Sequence, residues 1–238
     1  MKVAVINQAI RVMCQDVARQ DLPVQNWCLM TEEELLYEVA VCTFGSQVLF
    51  EIAEAMAIRL REKNLLQSAS CCKNIGQLKQ NFLRALSGPL PITSNEGVQR
   101  WARPRFKNRK ALLLATTIVT VYGQSQTIHD FLCSARHAKE ARKILTQRVA
   151  GFGPKQASLF LRRVGYSSDL AVLDVHVLDY LRLASGLSLS PNKLGQLHFY
   201  EEVEDIFREV AVEFGHPVGC VDLAMWVTMR VAKREAYL

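Results

Sequence analysis

With 238 residues, half of them hydrophobic, the chain is long enough to bury a substantial core as one large domain or two small lobes sharing a cleft. No run approaches the roughly 18 apolar residues of a membrane-spanning helix, and Asn7, Gln8 and Arg11 interrupt the start too early for a signal-peptide core. No membrane partner is therefore expected, and the chain reads as a cytoplasmic, intracellular protein of prokaryotic type. The net charge of +6 is unevenly placed: Arg100 to Arg163 holds 14 Lys or Arg against only Asp130 and Glu140, a block of +12 that leaves −6 elsewhere. Such a block points either to an anionic partner, nucleic acid being the commonest large one, or to a solvated basic face.

Apolar residues at Val3, Ile6, Ile10, Met13 and Val17 recur at helical spacing and predict an amphipathic first helix. Thr31 with Glu34 is a capping-box pattern that opens a helix through Leu35, Leu36, Val39 and Ala40. Gly45-Ser46 punctuates it, and a further helix is predicted over 47–63. The stretch 68–100, with Gly76, Gly88, Pro89, Pro91 and Gly97, reads as irregular around a short helix near 77–86. Helices follow over 108–121, 127–135 and 138–149, the last with a basic face of Lys139, Arg142, Lys143 and Arg148. Gly151-Phe-Gly-Pro breaks the chain, a helix resumes over 155–164, and Asp174 is placed to N-cap a helix to 183. Two last helices span 197–214 and 218–233. No strand alternation, internal repeat or low-complexity tract stands out, so the fold class is all-α with about ten helices.

Chemistry concentrates between 149 and 183, VAGFGPKQASLFLRRVGYSSDLAVLDVHVLDYL. Helix, G-F-G-P, helix is a helix–hairpin–helix pattern or, more plainly, an αα-hairpin. In the first reading Gly151 and Gly153 permit tight, left-handed backbone, and a DNA phosphate approaches the N–H groups that open the next helix, where the dipole favours negative charge. Gly151, Phe152 and Gly153, with Lys143 and Arg148 from the preceding helix, are the candidate DNA contacts. Lys155 stands in the first turn, where the helix dipole opposes a cation and is expected to lower its pKa, as a nucleophilic amine requires. A phosphate-binding lysine is the alternative. Asp174, in L-D-V-H, would be fixed and kept ionised by the backbone N–H groups it caps, with or without a chemical role.

Seven cysteines at 14, 28, 42, 71, 72, 133 and 220 form no C-x-x-C pair, and none of the five histidines has metal-ligand spacing. Free thiols, no metal and no cofactor are expected.

G-F-G-P-K-x-A-S followed by L-D-V-H resembles the helix–hairpin–helix GPD superfamily of DNA glycosylases. The continuation F-L-R-R-V-G-Y…L-A-V-L-D-x-H-V-L is similar to its compact archaeal and bacterial 8-oxoguanine DNA glycosylase/AP lyase branch. Cys42-Thr-Phe-Gly-Ser-Gln47 stands where the superfamily has L-S-x-Q, Arg105-Phe-Lys-Asn-Arg-Lys-Ala111 resembles R-F-x-x-x-K-A, and Val221-Asp-Leu-Ala-Met-Trp226 resembles a closing D-L-x-x-W. The resemblance implies that Lys155 attacks C1′ of a damaged nucleotide flipped from the duplex and that a Schiff base and β-elimination follow. Asp174 would be the acidic partner. Gln47, Asp222 and Trp226 become candidates for the base pocket, against the plainer readings of a core Trp and a capping or paired Asp. Endonuclease III-like relatives carry four cysteines after the hairpin; only Cys220 lies there, which disfavours an iron–sulfur cluster.

The expected architecture is the two-lobed glycosylase fold, with 34–168 a helical barrel lobe ending in the hairpin, and 1–33 with 169–238 a second lobe. Lys155 and Asp174 would face each other across a basic cleft. The expected partner is double-stranded DNA carrying a damaged base, met by a monomer. Two other readings stay open: the same chemistry on an oxidised pyrimidine or a mismatched base, and a non-catalytic DNA-binding module.

Overall fold

Capping chemistry sets where the helices begin. The computed structural model describes residues 3–19, 26–66, 74–93, 97–187, 189–190 and 192–235. Thr31 accepts from the Glu34 N–H while Glu34 reaches back to Thr31, the reciprocal box that opens α2 (Glu32–Phe44). Thr127 and Asp130 repeat the device at α6 (Ile128–Ser134). Asn74 caps α4 (Ile75–Ala85), His137 caps α7 (Ala138–Arg148) and Asp174 caps α9 (Val175–Ser185). The remaining helices are α1 (Val3–Arg19), α3 (Phe50–Glu62), α5 (Lys107–Tyr122), α8 (Pro154–Arg163), α10 (Leu197–Phe214) and α11 (Val218–Glu235).

Two compact units share the chain: Asn26–Phe152, and Met1–Gln25 together with Gly153–Leu238. In the first, α2 is buried from Leu35 to Phe44 on every side, as the axis of a helical cluster must be. It packs against α3, α5 and α6, while α4 packs on α5. In the second unit α11 is central, with α1, α9 and α10 against it. Ile6, Ile10 and Cys14 of α1 recur every fourth residue and enter one core with Val177, Tyr180, Tyr200, Phe207, Val221 and Met225.

The helical expectation holds along the chain, with one addition. β1 (Leu90–Thr93) and β2 (Gln99–Ala102) form an antiparallel hairpin with Leu90 opposite Ala102 and Pro91 opposite Trp101. Four residues per strand are too few for alternation to stand out, and Pro91 and Gly97 obscured it. Leu90 alone is fully buried, anchoring the hairpin on the side where α3 packs. The stretch 68–100 is described only in part; Cys71 and Cys72 lie outside the described residues.

The division between units falls at Gly153 rather than after 168. The physical reason is the anchoring of α8 and the turn after it. Arg162 of α8 pairs with Asp222 of α11, and the Gly219 N–H donates to the Ser168 carbonyl at 2.9 Å. A Cβ on Gly219 would stand 2.7 Å from that carbonyl oxygen, so the close approach requires glycine.

Candidate active site

The turn after α7 is built by hydrogen bonds and one glycine. The Phe152 N–H donates to the Val149 carbonyl at 3.1 Å, and the Ala150 N–H to Thr117 Oγ1 at 3.0 Å. Gly151 has φ +82°, and a Cβ there would meet Leu113 Cδ1 at 2.7 Å. Conformation and space both demand glycine. Gly153 differs from expectation: its φ of −94° and ψ of 178° are extended backbone that any residue adopts. A single left-handed residue is enough to reverse the chain, and Gly153 acts as the side-chain-free N-cap of α8. Pro154 at N1 has no N–H, so Lys155 and Gln156 offer the leading backbone donors with no capping side chain over them.

Lys155 is half-buried in this first turn. Asp174 Oδ1 accepts from the N–H groups of His176 at 2.8 Å and Val177 at 3.1 Å. These bonds fix the carboxylate at the head of α9. Both residues belong to the unit that begins at Gly153, not to separate lobes as expected, because α8 is anchored there.

The strap 170–174 that delivers Asp174 is held at each step. The Ala171 N–H donates to Glu204 Oε1 at 2.8 Å, the Val172 N–H to Asp222 Oδ2 at 2.6 Å, and the Leu173 N–H to the Tyr200 hydroxyl at 3.0 Å. Asp222 is buried, and its other oxygen pairs with Arg162. Burial pushes its carboxyl up to about 6, against the opposing pull of Arg162 and the Val172 N–H, with a further rise from nearby Asp174. Of the two readings for Asp222, the geometry favours a paired, positioning aspartate over one aimed at a base.

Trp226 is half-buried on α11. Arg230, one turn on, lies over its ring at 4.9 Å, and the His176 ring meets it edge-on at 6.3 Å. Burial lowers the His176 pKa, Asp174 and Asp179 oppose that, and Lys233 and Arg230 add to it. His176, two residues after Asp174, thus leads directly to Trp226.

Gln47 belongs to the other unit. It is exposed with φ +58°, in the turn between α2 and α3. Lys110 holds that turn. Its ammonium is buried and donates to the Phe44 carbonyl and, at 2.8 Å, to the Ser46 carbonyl. Burial pushes its pKa down to about 8, and Arg109 adds to the effect. Lys110 sits in the R-F-x-x-x-K-A stretch, but no local pattern distinguishes a buried lysine from a surface one.

Lys143 and Arg148 are exposed on α7, as DNA contacts must be. Arg142 is fully buried beside Ala141 and Leu145, so it does not belong to the basic face. The Phe152 side chain is also buried, which leaves only its main chain for a phosphate. Among the described residues no group of three or more His, Cys, Asp or Glu is placed to hold a metal ion, and no single helix is long and apolar enough to cross a membrane.

A family profile described as 8-oxoguanine DNA glycosylase matches residues 90–216, a segment that contains Lys155 and Asp174 but not Gln47, Asp222 or Trp226. Proteins named 8-oxoguanine DNA glycosylase/AP lyase are similar over part of their length. The one from Thermoplasma volcanium is 38% identical over 96 residues, 40% of this chain and 45% of its own. That from Metallosphaera sedula is 36% identical over 122 residues, 51% of this chain and 56% of its own. The chain thus spans about half the length of these curated relatives. Two solved structures share the fold. The 8-oxoguanine DNA glycosylase of Thermotoga maritima gives a TM-score of 0.66 at 20% identity, covering 94% of this chain and 96% of that one. The 8-oxoguanine glycosylase/lyase of Methanocaldococcus jannaschii, in complex with a 15mer DNA containing 8-oxoguanine, gives 0.62 at 22% identity, covering 89% and 88%. With more than half of its length inside the family profile and the helix–hairpin–helix glycosylase fold around it, the chain belongs to the 8-oxoguanine DNA glycosylase family.

Proposed function

We propose that this chain is a bifunctional DNA glycosylase/AP lyase that excises 8-oxoguanine, with Lys155 as nucleophile and Asp174 as its acidic partner. The observation that carries the reading is the pairing, inside the family-matched segment, of a half-buried lysine opening α8 with an aspartate locked at the head of α9. A phosphate clamp alone has no use for that pair.

In this reading the N–H groups opening α8 and the main chain of Gly151, Phe152 and Gly153 hold a phosphate, and exposed Lys143 and Arg148 add charge beside it. The Lys155 amine attacks C1′, the glycosidic bond breaks and the base departs with its electron pair. The ring-opened sugar remains as an iminium on Nζ. Loss of a C2′ proton then expels the 3′ phosphate, and water frees Lys155. Asp174, with Oδ1 occupied by two N–H groups, keeps its other oxygen toward charge that develops on the sugar. Trp226 offers the aromatic surface for the flipped base. The enzyme acts as a monomer on duplex DNA inside the cell.

The test is borohydride trapping on a duplex with 8-oxoguanine opposite cytosine, wild type against Lys155→Gln. A covalent adduct lost in the variant is the expected result. An adduct on an abasic duplex but not on this one keeps the mechanism and moves the lesion to an oxidised pyrimidine or a mismatch. No adduct on either removes the lyase reading and leaves a non-catalytic module.

A further inference from the structure

The β1–β2 hairpin presents an outward row that the glycosylase reading does not use. Register pairs Pro91 with Trp101 on one face and Leu90 with Ala102 on the other. Leu90 is fully buried, so the face carrying Trp101 points away from the core, and that ring is 72% exposed. The alternation continues past the strand: Arg103 and Arg105 are exposed, while Ala102 and Pro104 between them are half-buried. Side chains two residues apart in extended chain stand about 7 Å from one another. Trp101, with exposed Arg103 and Arg105 following it in the chain, therefore sets an aromatic face beside cations.

Among the described residues no carboxylate compensates the charge along this row. No Asp or Glu occurs from Gly97 to His129. Among the described residues Arg103 has no carboxylate partner, and the one contact found for Arg105 is its place over the Phe106 ring at 5.4 Å. A tryptophan left this open beside two exposed guanidinium groups is the arrangement that binds unpaired nucleotides: the ring stacks on a base and the cations track its phosphates. A base-paired strand has its faces covered and offers the ring nothing.

We propose that the outer face of the β1–β2 hairpin is a second DNA-binding surface, which stacks an unpaired base on Trp101 and holds the adjoining phosphates with Arg103 and Arg105. The surface is selective for single-stranded DNA. The proposal rests on the reading of the chain as a DNA enzyme, and the two are tested apart.

The experiment measures the Kd for a fluorescent oligo(dT) strand and, independently, nicking of an 8-oxoguanine duplex, in the full chain. Trp101→Ala is expected to weaken oligo(dT) about tenfold, Trp101→Phe to restore most of it, and Arg103→Ala to reduce the salt slope of oligo(dT) binding by about one. Duplex nicking stays within about twofold of wild type in all three, since none touches the catalytic pair. Oligo(dT) binding unchanged in Trp101→Ala overturns the proposal, and so does a Phe variant as weak as the Ala variant. Equal loss of oligo(dT) binding and duplex nicking also overturns it, by placing Trp101 in the lesion site. Absence of nicking in the wild type with tryptophan-dependent oligo(dT) binding intact sinks the enzymatic reading and leaves this surface standing.

Discussion

Replacing Lys110 by Met separates the cost of a buried charge from the worth of its hydrogen bonds. Burial holds the folded-state pKa at about 8 against an ordinary 10.5. Each unit is worth roughly 1.4 kcal/mol, so at pH 7 the fold carries about 3 kcal/mol of penalty for the cation. Between pH 8 and 10.5 the unfolded chain binds more protons at this position than the folded one, so stability rises with pH across that window. At pH 10 the remaining penalty is about 1 kcal/mol, a gain of about 2 kcal/mol over pH 7. The Phe44 and Ser46 carbonyls end α2 and favour the cation, which makes this figure an upper bound. Lys110→Met strands those two carbonyls at roughly 1–3 kcal/mol each, independent of pH. Urea unfolding of both proteins at pH 7 and pH 10 gives the difference directly, and every other titrating group cancels. Wild type should gain on the variant by roughly 1 to 2 kcal/mol as pH rises. Parallel pH curves refute the reasoning and mean that the carbonyls fully repay the burial of the charge.

Asp222→Ala leaves Arg162 and the Val172 N–H without their acceptor. It is expected to cost about 3 kcal/mol in thermal unfolding and to impair nicking through a displaced Asp174. With its carboxyl raised from 3.8 to about 6, folded Asp222 binds more protons than the unfolded residue in that interval. Its contribution to stability therefore falls as pH rises from 4 to 6, a slope that Asp222→Asn should remove in a melting series. Glu32 accepts from the Ile128 N–H at 2.6 Å, the His129 N–H at 3.2 Å and the Tyr122 hydroxyl at 2.6 Å, so it caps α6 from α2. Glu32→Ala should lower the melting temperature by about 6–12 °C, from roughly 3 kcal/mol of lost acceptors. Gly151→Ala must place a Cβ against Leu113 at positive φ; a cost of about 1–3 kcal/mol is expected, whereas Gly153→Ala, with only Gln156 Oε1 near at 3.5 Å, should cost less than 1 kcal/mol or so. Equal melting temperatures for the two glycine variants contradict that assignment.

Most of the helical frame is legible in the sequence because its signals are local. Thr31 with Glu34, Asp174 before Val175, and Ile6 with Ile10 each declare their element within one or two turns. The candidate pair Lys155 and Asp174 is legible for the same reason, since its motif is continuous. What escapes is whatever a distant residue decides. Arg162 finds Asp222 across 60 positions, Lys110 finds Phe44 across 66, and Glu32 finds Ile128 across 96. Arg142 shares the spacing of the basic face of α7 and is nonetheless buried. The division at Gly153 follows from one ion pair and one close glycine, neither of which leaves a trace in hydrophobic periodicity.

The dependence of α11 on α1 bears on how this chain comes off the ribosome. Asn26–Phe152 is contiguous and is complete in the growing chain before Gly153–Leu238 is made. The other unit is not: Tyr180 of α9 donates to Asn7 at 2.9 Å and Arg11 donates to the Glu213 carbonyl, but α11, the main neighbour of α1, emerges last. At about 5–20 residues per second, α1 waits some 10 to 40 seconds with Ile6, Ile10 and Cys14 uncovered. A nascent chain stalled anywhere before α11 therefore carries the hairpin but not the supported strap beneath Asp174.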